Sequence, residues 1–154
     1  MKKITGAFLL LFVYQVAVSQ LVYPYQDIKL EKPSDYKETE SLARSAANFL
    51  LTTPFEETSE SRGNALQFLT TWMTGNKEYT FYMQGKASAI NTDRNLFSVF
   101  LAAMAKYTLE NKSEAVNPIK VDLNAARLVL AYADDPKNNF KLKKKMRKEL
   151  EKAD

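Results

Sequence analysis

The chain has 154 residues, with 22 basic and 18 acidic side chains and neither cysteine nor histidine. Without cysteine it forms no disulfide, thiolate nucleophile or thiolate metal site, and without histidine it forms no Ser-His-Asp triad, Cys-His pair or histidine-ligated metal centre. The net charge of +4 falls to +2 without Lys2 and Lys3, and this near balance argues against a nucleic-acid-binding protein.

The first nineteen residues have the layout of a secretory signal peptide. Lys2 and Lys3 precede an apolar run over 4–18, and small residues at 17 and 19 stand where a signal peptidase reads the chain. We therefore expect cleavage after Ser19 and a periplasmic or secreted protein over 20–154. Because the run is shorter than the roughly 20 apolar residues of a spanning helix, a retained membrane anchor is the alternative.

The predicted elements begin with an extended arm over 20–33, where prolines and polar residues show no helical period. Helix one is predicted over 35–51. Ser34 is its expected N-cap, since serine oxygens accept hydrogen bonds from the first amides of a helix. Pro54 is expected to stop the helix, because proline lacks an amide hydrogen.

Helix two is predicted over 59–74 from apolar residues that recur at helical spacing. Thr58 or Ser59 is the expected N-cap. Gly75 is the expected left-handed residue at its C-terminal end.

An aromatic segment follows helix two. Tyr79, Phe81 and Met83 alternate with Thr80 and Tyr82, a pattern typical of a β-strand. A buried strand needs a partner for its backbone, and the extended arm or another chain is expected to supply it. The alternative is an aromatic loop packed over the helices.

Helix three is predicted over 93–110, with Asn91 or Thr92 as its N-cap and Asn111 as its C-cap. Its run of alanines is small enough to let a neighbouring helix approach closely.

Helix four is predicted over 118–133, with Asn117 as its N-cap and a proline in its first turn. One of its two apolar faces begins at Ile119, and two such faces are typical of the central helix of a bundle. A polar loop leads to helix five over 142–152, which has a thin apolar stripe among basic residues.

These elements predict an all-α fold. The expected domains are a signal peptide over 1–19, an extended arm over 20–33 and one helical domain over 34–154. The domain is expected to be a four-helix-type bundle with a short basic C-terminal helix and a strand-like aromatic segment between helices two and three.

Two surfaces are candidates for binding. The first is aromatic, because tyrosine and tryptophan are enriched at recognition surfaces, although core packing is the default interpretation of the single tryptophan; its residues are Trp72, Tyr79, Phe81 and Tyr82. The second is basic and suits an anionic surface, although a solvated terminal helix is the default interpretation; its residues are Lys141, Lys143, Lys144, Lys145, Arg147 and Lys148.

Catalysis has few routes in this composition. A cell-wall hydrolase would need paired carboxylates around a cleft, and the candidates are Glu56, Glu57 and Glu60, with Asp134 and Asp135. The acidic residues near helix two also fit a helix start, and the aspartates fit a polar turn.

Two further motifs are weaker. Ser34 and Lys37 match the S-x-x-K pattern of penicillin-interacting enzymes, but the companion motifs are absent. The acidic turn over 134–139 offers oxygen ligands for calcium but departs from the EF-hand spacing. We therefore expect no catalytic residue, metal or cofactor.

Three segments carry a resemblance to known sequences, namely 42–54, 65–75 with its Trp-Met-Thr-Gly at 72–75, and 101–111. Together they resemble a group of small exported proteins of Bacteroidota-type bacteria that has no assigned activity. The resemblance covers roughly 36–150 and implies a helical domain behind a signal peptide, with no catalytic residue to carry over.

The sequence thus predicts an exported, non-enzymatic helical protein that binds an envelope protein or a glycan, and not nucleic acid. The alternatives are a carboxylate-dependent cell-wall hydrolase and a peripheral membrane binder that uses the basic C-terminal helix.

Overall fold

A computed structural model describes residues 25–152, and the predicted signal peptide and its cleavage site lie outside the described residues. Within 25–152 the chain forms helices and no strand, so the predicted all-α class is confirmed. The α-helices are α1 Pro33–Glu38, α2 Glu40–Thr52, α3 Glu60–Gly75, α4 Gly85–Ile90, α5 Arg94–Glu110, α6 Pro118–Asp134 and α7 Lys144–Glu151, with short 3₁₀ helices at Tyr25–Asp27 and Pro136–Asn138.

The predicted helix one is two helices, α1 and α2, which meet at Thr39. The Thr39 hydroxyl donates to the Asp35 carbonyl at 2.6 Å, and such bonds from a side chain to the preceding turn compete with the regular helix pattern. Ser34 lies inside α1 rather than capping it. Most of the described part of the predicted arm lacks regular structure, but it includes a 3₁₀ turn in which Tyr25 stacks on Phe68.

The other helix ends follow their local capping chemistry. Ser59 accepts a hydrogen bond from an amide in the first turn of α3, and Asn117 does the same for α6. Asn111 is the C-cap of α5, as predicted. The N-cap of α5 is Asp93 rather than Asn91 or Thr92, because the Asp93 carboxylate accepts from the third amide.

The core is centred on α5, which packs against α2, α3, α4 and α6. The sequence placed helix four, here α6, at the centre. The structure instead places α5 there, because its Ala102, Ala103 and Ala105 are fully buried and let two neighbouring helices approach closely. None of the described helices is both long and apolar enough to span a membrane.

Gly75 ends α3 for a reason other than the one predicted. It is the last helical residue, and it does not adopt the left-handed conformation. A Cβ atom at this position would lie 2.0 Å from the Tyr36 hydroxyl oxygen. The glycine therefore gives the Tyr36 ring room to pack on the end of α3.

We expect Gly75→Ala to destabilise the protein by about 1–3 kcal/mol, because the new methyl group forces Tyr36 out of its site. Gly63→Ala, in the same helix, is the control, since nothing lies within 4 Å of its added Cβ. It should stabilise the protein by up to about 1 kcal/mol through helix propensity. Urea unfolding measures both, and equal stabilisation by the two substitutions would contradict this account of Gly75.

A buried arginine joins the end of α2 to the start of α3. The Arg62 guanidinium donates to the carbonyls of Leu50 at 3.0 Å and Thr53 at 3.3 Å, and it lies over the Phe55 ring. The Tyr132 hydroxyl of α6 donates to the same Thr53 carbonyl at 2.8 Å. A cation at a helix C-terminus is favoured by the helix dipole, so Arg62 stabilises the point where three helices meet.

We expect Arg62→Met to lower the free energy of unfolding by about 2–4 kcal/mol, because the carbonyls at the end of α2 lose their charged donor. Arg94→Met is the matched control, since Arg94 is exposed and lines a surface cleft together with Arg62. It should change stability by less than about 0.5 kcal/mol. Identical urea midpoints for the two variants would show that the buried hydrogen bonds do not stabilise the fold.

Candidate binding surface

The aromatic segment over 79–83 has no regular secondary structure and pairs with no strand among residues 25–152, so the predicted strand-like segment is a loop packed over the helices. Hydrogen bonds and ring contacts hold the segment there. The Asn76 side chain accepts from the amides of Glu78 and Tyr79 at 2.8 and 3.1 Å. The Tyr79 and Phe81 rings lie 6.1 and 6.4 Å from the Trp72 ring. The alternating pattern thus serves packing on α3 rather than pairing in a sheet.

A charged cluster ties the same segment to α2. The Tyr79 hydroxyl donates to Glu40 at 3.0 Å, and the ammonium of Lys112 lies 2.7 Å from the same carboxylate. Burial alone would raise the pKa of Glu40, but the hydrogen bonds from Lys112 and Tyr79 hold it below its ordinary value. Burial raises the pKa of the Tyr79 hydroxyl, so it stays protonated and donates to Glu40 at neutral pH.

The four predicted aromatic residues separate into core and surface. Trp72 is fully buried, and its indole N–H donates to the Tyr36 carbonyl at 2.8 Å. Tyr79 and Phe81 are half-buried against it. Tyr82 alone reaches the surface, with 43% of its area exposed. The structure therefore brings three of the four together as packing and leaves one free for a partner.

Tyr82 belongs to an apolar patch whose other members the sequence analysis did not assign to binding. The large apolar residues that the described chain leaves most exposed are Tyr82, Met83, Val116 and Ile119. They come from two short segments only, and Tyr82 and Ile119 line the same cleft. These four residues are called the apolar patch below.

Ile119 corrects an expectation of the sequence analysis. It was predicted to begin a buried face of helix four, but it is 59% exposed at the start of α6. The run Val116-Asn117-Pro118-Ile119 was the available signal, because apolar residues on both sides of an N-cap extend past the end of the core.

The cleft lined by Tyr82 and Ile119 has a volume of about 170 Å³, and Asp122 is also part of its lining. Asp122 is buried there and accepts from the amides of Lys86 at 3.0 Å and Ala87 at 3.3 Å. Gly85 takes a positive φ of 57°, and a Cβ at this position would lie 2.8 Å from an Asp122 oxygen. The carboxylate therefore caps α4 and fixes the segment that carries Tyr82 and Met83.

The predicted carboxylate pairs do not converge in one site. Glu56 and Glu57 are exposed and line a cleft with the two arginines of the α3 and α5 starts. Glu60 is exposed in the first turn of α3. Asp134 forms an ion pair with Arg147 of α7, and Asp135 caps the 3₁₀ helix that follows. These placements match helix-end and turn chemistry.

The other chemical motifs are also accounted for by local structure. Ser34 and Lys37 are exposed on α1, and the Ser34 hydroxyl donates to the neighbouring Asp35. In the acidic turn the Asn138 side chain donates to the Tyr132 carbonyl at 2.9 Å. Across residues 25–152, no group of three or more acidic side chains is placed to hold a metal ion.

The basic candidate surface lies on and beside α7. Met146 and Leu150 are buried and dock the helix on the core. Most of the predicted basic side chains are exposed, and Arg147 is half-buried; the exposed ones are Lys141, Lys143, Lys144, Lys145 and Lys148.

Comparison of the chain with protein-family models, with curated proteins and with solved structures gives no match.

We expect Glu40→Gln to destabilise the protein at neutral pH and to lose this effect in acid. The ionised carboxylate stabilises the fold above its unfolded pKa of about 4.3. That contribution is lost as the pH falls through the lowered pKa of the folded state. Urea unfolding of the wild type and the variant between neutral pH and about pH 3 measures the difference.

Glu38→Gln is the control for this prediction, since Glu38 is exposed on α1 and forms no ion pair with another described residue. Its difference from the wild type should be small at every pH. A Glu40→Gln difference that stays constant down to about pH 3 would show that ionisation of Glu40 does not anchor the aromatic segment.

Proposed function

We propose that this protein is an exported, non-catalytic helical protein that binds another protein in the cell envelope or outside the cell through the apolar patch. The observation that supports this most is that the exposed large apolar side chains of 25–152 come from two short segments, and that one residue of each segment, Tyr82 and Ile119, lines the same cleft. Single exposed apolar residues are common on any surface, but a contiguous group marks an interaction site.

The chemistry of the apolar patch suits a protein partner better than a glycan. Protein interfaces are enriched in Tyr and Met at their centre and depleted of charge. A glycan site instead needs several aromatic faces and convergent hydrogen-bonding groups, whereas Met83, Val116 and Ile119 are aliphatic. The buried Asp122 is not free for a sugar hydroxyl, because it caps α4.

The apolar patch is also pre-organised. Its first segment is held by the Trp72 contacts on one side and by the cap of α4 on the other. Its second segment is held by the Asn117 cap and the proline that begins α6. A surface already in its bound geometry loses little conformational entropy on association, which favours affinity.

The hydrolase hypothesis has less support. Glycoside hydrolysis places two carboxyl groups on opposite sides of the scissile bond, about 5–10 Å apart. Glu56 and Glu57 are consecutive residues of one loop and both are exposed. Cleavage of purified cell wall that disappears on Glu56→Gln would favour this alternative over the proposal.

Photo-crosslinking in the native host tests the proposal. A benzophenone amino acid placed at Tyr82 or at Ile119 should form the same protein adduct, because both side chains line one cleft. Val116→Asp should reduce the yield of both adducts by about tenfold or more, since a charge desolvated at the interface costs at least about 1.4 kcal/mol.

Ser61 and Lys137 are the control positions for the photoreactive residue, because both are exposed and neither belongs to the apolar patch. The same adducts from these positions, or no adduct from Tyr82 and Ile119, would contradict the proposed surface. An adduct that glycan-cleaving enzymes degrade and proteases do not would overturn the assignment of a protein partner.

A further inference from the structure

We infer that α7 carries a second interaction surface, a lysine face that adsorbs to an anionic lipid bilayer. The face consists of Lys144, Lys145 and Lys148. At 3.6 residues per turn these three side chains fall within an arc of about 100°. The buried Met146 and Leu150 lie on the opposite side of the helix, so the face points away from the core.

The ion pairs of α7 involve basic side chains other than those of the lysine face. Lys143 pairs with Asp93 at 2.8 Å, Arg147 pairs with Asp134 and Glu151, and Lys152 pairs with Glu149. Within residues 25–152, the three lysines of the face form no ion pair with an acidic group. The nearest compensation is that of Lys145, whose charge helps to lower the pKa of Glu149 without a direct ion pair. The basic side chains at the edges of α7 thus serve the fold, and those at its outer side are exposed.

The charge of the protein is concentrated at this end. Residues 141–152 contain seven basic and two acidic side chains, a net charge of +5. Residues 20–140 contain thirteen basic and fifteen acidic side chains, a net charge of −2. This asymmetry orients the protein in the field of a negative surface, with α7 leading.

The composition of the lysine face favours a lipid surface over a specific macromolecular partner. Lysine is a point charge on a flexible stem, whereas arginine is the side chain that recognises single phosphates or carboxylates bidentately. The face carries no exposed aromatic, arginine or aliphatic anchor of the kind that dominates protein interfaces. The nearby Phe140 and Leu142 pack against the core, so we infer adsorption without insertion.

Vesicle sedimentation tests the inference, with the protein purified from its native host. The probes are phosphatidylcholine vesicles with or without about 30% phosphatidylglycerol, in about 0.1 M and about 1 M salt. We expect the anionic lipid to increase binding strongly at low salt and only weakly at high salt. Binding through an apolar leader would be equal on both kinds of vesicle, so the difference between them isolates the charge effect.

Replacement of Lys144, Lys145 and Lys148 by Glu should reduce the affinity for the anionic vesicles on the order of 100-fold or more. Replacement of the same lysines by Gln removes the charge without introducing repulsion and should reduce the affinity on the order of 100-fold. The Gln variant keeps the test valid if the Glu variant misfolds. The matched control replaces Lys29, Lys37 and Lys77 by Glu. These lysines are exposed elsewhere on the protein, and the control changes the net charge by the same amount as the Glu variant of the lysine face.

An equal loss in the control variant would overturn the inference, because net charge rather than the lysine face would then determine binding. Equal binding to neutral and anionic vesicles would overturn it as well. A DNA oligonucleotide that binds more tightly than the vesicles at equal phosphate concentration, with the same dependence on the three lysines, would assign the face to a soluble polyanion instead.

Discussion

The fold and its candidate surface both depend on one buried side chain, Trp72. Its indole N–H donates to the Tyr36 carbonyl, which fixes α1 on α3, and its ring supports Tyr79 and Phe81. Gly75, one turn further along α3, leaves room for the Tyr36 ring. A chain without disulfides must hold its short or irregular segments by packing and hydrogen bonds alone, and this indole does so for the short helix α1 and for the aromatic segment. Beyond Phe81 the segment leaves this support, and the next two residues, Tyr82 and Met83, are both exposed.

Local chemistry explains why much of the fold could be predicted. Helices α3 and α6 begin directly after Ser59 and Asn117, whose side-chain oxygens accept from an amide of the first turn. The cap and the amide it binds are three residues apart, so the sequence alone predicts these helix starts. The role of Gly75 could not be predicted in the same way, because its partner Tyr36 is distant in the chain and belongs to another helix. The alternation over 79–83 matches the packing of Tyr79 and Phe81 but fails at the exposed Met83. Alternation alone also does not say whether a sheet or a helix covers the apolar side.

The candidate site was predictable only in part for the same physical reason. Tyr82 was assigned from its neighbours in sequence, whereas Ile119 joins it at the cleft only through the packing of α4 on α6. Helical spacing assigned Ile119 to the core, because periodicity reports a face of the helix and not how far along the helix the core extends. Exposure at a helix start therefore escapes a periodic argument. The buried cap made by Asp122 escapes it too, since its acceptor role needs the distant amides of α4.

The short helix α4 connects the two proposed surfaces. Its N-terminus follows the apolar patch directly, and its Lys86 ammonium donates to the Lys152 carbonyl just beyond the end of α7. Six residues make a helix too short to be stable alone, so Asp122 and the packing of α6 and α7 must maintain it. The two surfaces differ in their physics: an apolar patch needs close contact, whereas lysines act over a Debye length. Adsorption through α7 would therefore concentrate the protein at a membrane, and a partner at the same membrane would meet the apolar patch at an effective concentration far above that in solution.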